Sequence, residues 1–156
     1  MSNEGSTQDR TNDTNLFYSS PYNQALGLRP LNWPKDGCVL CLPYQAHLVG
    51  DLDSGAVHAG AISGLIDTTF GQAVYTCIPR VFATLDLRID HIRRSTAGRD
   101  LICAAACYKH TAQLAFVRGS VYHDDPADPI ATAVAIFMFT DAVQQVFAAG
   151  RSHEPG

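Results

Sequence analysis

The stretch VHAGAISGLIDTTFG, Val57 to Gly71, decides how this chain is read. At about 100° per residue, Ile62, Leu65, Ile66, Thr69, Phe70, Ala73 and Cys77 fall within one arc of about 140°. That arc is a core face and predicts a helix over roughly Ala59 to Thr76. Gly60, Gly64 and Gly71 occupy the opposite arc. Each costs a helix about 1 kcal/mol relative to alanine, which is tolerated where something must approach the backbone. Asp67 lies at the border of the two arcs and is the only charged side chain of the helix.

The helix start is equally informative. No Ser, Thr, Asp or Asn immediately precedes Ala59, so its first N–H groups lack an obvious side-chain acceptor. Such groups hold an anion or a polarised carbonyl oxygen. Asp67, close to an apolar face, is placed to act as a base or nucleophile. Ala59 and Asp67 are eight residues apart, or about 12 Å along a helix axis. A reacting carbonyl needs both groups at about 3 Å. One chain therefore cannot supply both to one carbonyl. If both act, two helices run antiparallel, and the amide of one copy meets the aspartate of the other across the glycine face. The expected assembly is an obligate homodimer with two composite sites. Plainer roles stay open: Asp67 as an exposed charge or structural acceptor, His58 as a loop or capping residue, Gly64 and Gly71 as packing glycines.

Beyond the helix the period changes from 3.6 to 2. In ATLDLRID, Ala83, Leu85, Leu87 and Ile89 alternate with Thr84, Asp86, Arg88 and Asp90. DLICAAACYKH, AQLAFVRGSVYH and PIATAVAIFMF read as three further strands. Their short, turn-rich links RRSTAGR, HTA and DDPADP imply successive antiparallel hairpins, a meander of four strands. Ahead of the helix, LFYSSPYNQALGL holds a short helix, GCVLCLP reads as a strand, and YQAHLVGDLDSGAV reads as a loop turning at Asp53, Ser54 and Gly55. Pro30 and Pro34 bracket irregular chain around Trp33. The expected architecture is α+β, one long central helix wrapped by a curved antiparallel sheet of about five to six strands. Residues 1–15 read as a disordered tail, 16–148 as a single domain with a short helix from Thr140 to Phe147, and 149–156 as a flexible end.

Composition narrows the function. A chain of 156 residues, 46% hydrophobic, can build one core unaided. Its net charge is −4 and its basic residues form no stripe, which argues against a nucleic-acid partner. It has no apolar run of about 18 residues and a polar, acidic N-terminus, so the expectation is a cytoplasmic protein without a membrane span. Cys38, Cys41, Cys77, Cys103 and Cys107 read as buried free thiols. The CVLC pair has no second pair to complete a zinc site and sits in a strand, where positions i and i+3 face opposite ways, so no metal is expected. No G-x-S-x-G elbow, phosphate-binding loop or dinucleotide fingerprint is present. Arg93, Arg94 and Arg99 read most simply as solvated charges.

VHAGAISGLIDTTFGQA resembles the H-G-G-x(4)-L-x-D-x(3)-G-x-A pattern of hotdog-fold thioesterases of the phenylacetate-pathway, PaaI-like group. His58, Gly60, Leu65, Asp67, Gly71 and Ala73 match in register, and Gly55 matches a glycine three residues before the histidine. ATLDLRIDHIRRSTAGRDL and AFVRGSVYHDDPADPIATAVAIFMF resemble the later strands, so the likeness runs from about Leu28 to Phe139. It implies a hotdog fold, dimers and commonly dimers of dimers, and hydrolysis of an acyl-CoA thioester with no cofactor beyond the coenzyme A of the substrate. It places the catalytic carboxylate on Asp67, the oxyanion N–H on Ala59, the water-orienting hydroxyl on Thr84, and the signature histidine and glycine on His58 and Gly60, with His58 orienting the loop or the thioester. It leaves Arg93, Arg94 and Arg99 to hold the coenzyme A phosphates, since guanidinium suits phosphate. Ala59 stands where the group usually has glycine, which leaves the N–H in place. Leu52 stands where it often has asparagine. The rival readings are a hotdog hydratase or dehydratase and a non-catalytic acyl-CoA-binding sensor.

Overall fold

The computed structural model describes residue 17 and residues 20–140. A short helix α1, Pro21–Leu26, starts on the Ser20 side chain, which accepts the Asn23 N–H, and stops at Gly27 with φ 68°. Then come β1, Arg29–Asn32, and β2, Gly37–Leu42. A single 3₁₀ turn, Ala46–Leu48, leads into a small hairpin of β3, Val49–Asp51, and β4, Ala56–Val57. The long helix α2 spans Ala59–Cys77. Four strands follow: β5, Phe82–His91; β6, Leu101–His110; β7, Leu114–Tyr122; and β8, Ala131–Phe139.

All pairings are antiparallel, and the main sheet has the order β1-β2-β6-β7-β8-β5. It curves around α2, whose Ile62, Leu65, Ile66, Phe70, Ala73 and Val74 are buried against Cys103, Val117, Val121, Ala135 and Phe137. The predicted apolar arc is the buried one. Small side chains on the inner faces of β6 and β8 leave the helix room to sit close to the sheet.

Four expectations need correction. First, the four strands after α2 are not one meander. β6, β7 and β8 are successive hairpins, but β5 pairs with β8 and forms the edge. Nine residues, 92–100, link β5 to β6. They cross three strand spacings, about 14 Å, a span too wide for a tight hairpin and easy for that length. Second, the even alternation of ATLDLRID is broken. A bulge between Thr84 and Asp86 leaves Leu85 without a partner and 58% exposed, and Ala83 is exposed too. Before the bulge Phe82 and Thr84 face the helix; after it Leu87 and Ile89 do.

Third, YQAHLVGDLDSGAV is not plain loop, because it holds the 3₁₀ turn and the β3–β4 hairpin, closed by Gly55 at φ 69°. Fourth, Pro30 belongs to β1, an edge strand with a bulge at Pro30/Asn32, where a missing N–H is harmless. The tails 1–15 and 149–156, and the short helix read after Thr140, lie outside the described residues.

The outer side of the sheet is also apolar. Val134 and Met138 on β8 and Tyr108 on β6 are exposed, with Phe116 and Ile136 half-buried beside them. Among the described residues, no helix is long and apolar enough to cross a membrane.

Candidate active site

Asp67 sits half-buried on α2, between two glycines one turn away on either side. The glycine face is filled by the chain itself there. A Cβ on Gly64 would lie 2.3 Å from the Tyr22 hydroxyl, and one on Gly71 would lie 3.1 Å from the Phe82 ring. Close approach is the reason for the glycines, but at these two positions the approaching groups come from α1 and β5, not from a second copy. Of the three, Gly60 alone is exposed.

The carboxylate has one defined partner. Thr84 Oγ1 on β5 donates to Asp67 Oδ1 at 2.8 Å. The bulge at Leu85 explains why Thr84 faces the helix, since without it the two halves of β5 would present the same parity inward. No cation pairs with Asp67 among the described residues.

At the start of α2 the expectation of a weak cap is corrected. His58 is the N-cap, and its Nδ1 accepts the Gly60 N–H at 2.8 Å. That bond assigns the proton of a neutral ring to Nε2. The N–H groups of Ala61 and Ile62 donate to the His58 carbonyl at 3.0 and 3.2 Å. The Gly60 amide is therefore spent within the turn. Ala59 is exposed, and its N–H has no acceptor among the described residues. Of the first amides of α2, it is the one left to meet a ligand.

The chain thus brings Asp67 and Thr84 together, and brings His58, Ala59 and Gly60 together. It holds the two groups apart along one straight helix, about 12 Å by rise per residue.

The three arginines are all engaged. Arg93 is bidentate on Asp128, with Nε to Oδ1 at 3.2 Å and Nη2 to Oδ2 at 2.8 Å, and also donates to the Asp128 carbonyl at 3.0 Å. Arg94 Nη1 meets Asp51 Oδ2 at 2.8 Å, and Arg99 meets Asp124. The Asp51 carboxyl is held below its usual range by the Ser54 hydroxyl first, then the Asp53 N–H, with Arg94 adding to it. The acids in DLDS and DDPADP read only as turn residues in sequence; their pairing with RR was not visible there.

Two further groups that the sequence did not single out hold the segment 92–100 in place: Ser95 within it and His123 just after β7. Ser95 is buried, and its Oγ accepts the Val57 N–H at 2.9 Å. His123 is 4% exposed; its Nε2 accepts the Thr96 N–H at 2.9 Å, and its Nδ1 faces the Asp100 carbonyl at 2.7 Å. The Thr96 donor makes Nε2 the acceptor, so Nδ1–H donates to Asp100.

Cys38 and Cys103 are buried in the core. Burial pushes the Cys38 and Cys103 thiols up to about 12, and Cys103 adds to the effect on Cys38. No three His, Cys, Asp or Glu side chains gather as metal ligands among the described residues.

The thioesterase superfamily model matches residues 54–130, from the β3–β4 turn to the start of β8. A Pseudomonas aeruginosa protein of known structure is 38% identical over 81% of this chain and 95% of its own, with a TM-score of 0.73. The PaaI protein from the E. coli phenylacetic acid degradation operon is 17% identical, over 84% and 92%, with a TM-score of 0.75. Zebra fish thioesterase superfamily member 2 is 17% identical, over 80% and 91%, with a TM-score of 0.70. No curated protein matches. The helix, the wrapped six-stranded sheet and the match across the α2 motif agree: this chain has the hotdog fold and belongs to the thioesterase superfamily.

Proposed function

We propose that the protein is an acyl-CoA thioesterase that releases free acid and coenzyme A, working as a homodimer with composite sites. The observation that carries this reading is the state of the Ala59 amide: among the described residues it alone of the first amides of α2 lacks an acceptor, while Asp67 waits a fixed distance away with Thr84 attached.

Two copies of α2 running antiparallel would bring the Ala59 N–H of one to the Asp67 of the other. The thioester oxygen then accepts from that N–H as it gains charge. Asp67 takes a proton from water as the water oxygen bonds to the carbonyl carbon, and Thr84 fixes the carboxylate for that step. Collapse of the tetrahedral species breaks the C–S bond, and the sulfur leaves as thiolate and takes a proton. Direct attack by Asp67, forming a mixed anhydride that water then cleaves, uses the same residues. His58 contributes by shaping the turn that presents the amide. Arg99, whose single ion pair lies at the surface, is the arginine best placed to exchange its carboxylate for a coenzyme A phosphate. The edge strand β5 and the apolar outer face around Val134, Ile136 and Met138 suit a dimer that pairs again into a dimer of dimers.

The test is thiol release, followed with a chromogenic thiol reagent, across short, medium, long and aromatic acyl-CoAs. Release by the parent and not by Asp67→Ala supports the reading. Saturable binding without release would favour an acyl-CoA-binding module instead, and a changed double bond without free thiol would favour a hydratase.

A further inference from the structure

The amide that matters most to this reading is held from a distance. Val57, His58 and Ala59 are consecutive, and each bond around them removes one freedom. The His58 N–H donates to the Leu48 carbonyl at 2.7 Å. Gly50 lets β3 lie directly on His58, where a Cβ would come 2.7 Å from the His58 Cα. The His58 carbonyl and ring take the next three amides of the helix. The remaining tether is the Val57 N–H, and its acceptor is Ser95 Oγ, 38 residues away in sequence and buried.

Ser95 is itself fixed on both sides. Arg94 reaches Asp51 on β3, while Ser95 reaches Val57 on β4. Neighbouring residues of one segment therefore clasp both strands of the hairpin, in which Asp51 pairs with Ala56. Arg93 anchors the segment to Asp128, and the buried His123 anchors it at Thr96 and Asp100. Nothing in this arrangement touches Asp67. It surrounds the one amide left without an acceptor.

We propose that Ser95 is a positioning residue: its hydroxyl, held by the 93–100 segment, fixes the Val57–Ala59 backbone and so aims the Ala59 N–H. Arg93 and Arg94 serve the same end through the segment rather than by meeting phosphate. The proposal rests on the thioesterase reading for its effect on rate, but its structural part stands on hydrogen bonds alone.

The test compares Ser95→Ala and Ser95→Thr in the full-length oligomer, by thiol release and by amide hydrogen exchange over residues 57–61. Ser95→Ala should lower kcat about ten- to a hundredfold, the range expected when a catalytic group is misplaced by a fraction of an ångström to an ångström. KM should stay within about twofold, because ground-state contacts are untouched. Ser95→Thr, which keeps the hydroxyl, should restore kcat, and exchange at the hydrogen-bonded amides of Val57 and His58 should quicken in the alanine variant only. Where Ser95→Ala does not fold, Ser95→Cys, with a poorer acceptor, takes its place. Unchanged kcat in a folded Ser95→Ala overturns the proposal, whatever the change in thermal stability. If the parent releases no thiol from any acyl-CoA, the functional reading fails, and hydrogen exchange decides the positioning link by itself: unchanged exchange at His58 in Ser95→Ala overturns it.

Discussion

Thr84 donates to Asp67 at 2.8 Å from the residue just before the β5 bulge. The bulge therefore decides what the carboxylate sees. With regular pairing through Leu85, strand parity would turn either Thr84 or the Leu87–Ile89 pair away from α2. The fold tolerates a broken ladder at an edge strand, and in return the acid gains an oriented partner.

Removing the acid should remove turnover. Asp67→Asn and Asp67→Ala are expected to lower kcat by about 10²- to 10⁴-fold, the usual worth of a positioned base, with an unchanged oligomer by light scattering. Thr84→Ala should cost less, about tenfold, since one hydrogen bond to a charged group is lost. Thr84→Ser should recover most of it. Steady-state thiol release measures all four, and full activity in Asp67→Asn would sink the mechanism.

His58 should behave as a cap in stability measurements, separately from any effect on rate. Its Nδ1 holds the Gly60 N–H, and loss of a good N-cap costs about 0.5–2 kcal/mol. His58→Ala should lower the urea midpoint accordingly, while His58→Asn and His58→Ser should recover most of the loss. In His58→Ala the Gly60 amide is also released beside Ala59, so kcat should change too.

The long helix, the Asp67 position, β2 and the three later strands were legible because each follows a simple period. Ile62 to Ala73 repeat at 3.6, and β6 to β8 are apolar runs bounded by turns. What was not legible depends on distant residues. β5 pairs with β8, far along the chain, and the composition of RRSTAGR carries no sign of that partner. The bulge at Leu85 is invisible because ATLDLRID alternates perfectly as text. His58 as a cap requires knowing its rotamer, and Ser95 acquires its role only from Val57, far away in sequence. The arginines looked free because their acids lie in remote turns.

Three groups should leave a trace in pH dependence. The folded Asp51 carboxyl is held below 3.8, its ordinary value. Its contribution to stability is thus present above that value and is lost as pH falls through the folded pKa. Asp51→Asn should therefore lower stability at pH 7 and flatten the acid side of the unfolding-versus-pH curve, with the two curves meeting at the acid end. Cys38 and Cys103 run the other way, from an ordinary 9.0 up to about 12. Their neutral thiols favour the fold fully below 9.0, and stability should decline as pH rises from there toward 12. Native protein at pH 8 should also leave both unlabelled by iodoacetamide, whereas the urea-unfolded chain should label at both, by intact mass and peptide mapping.

The proposed composite site can be tested with proline. Proline lacks the N–H in question but is well accepted at the first position of a helix. His58 has φ −60° and ψ 137°, the extended conformation that a following proline requires. Ala59→Pro should therefore remove the oxyanion donor while leaving α2 folded, and should inactivate the homodimer. Unfolded and reassembled with Asp67→Asn, itself inactive, it should regain activity. In a mixed dimer one site carries both lesions, and the other combines an intact Asp67 with an intact Ala59. Random two-fold pairing predicts recovery of about a quarter of the parent activity. Separate measurement of each inactive parent, before and after the same treatment, sets the baseline. No recovery in dimers shown by mass spectrometry to be mixed would mean that Asp67 and Ala59 do not act across the interface.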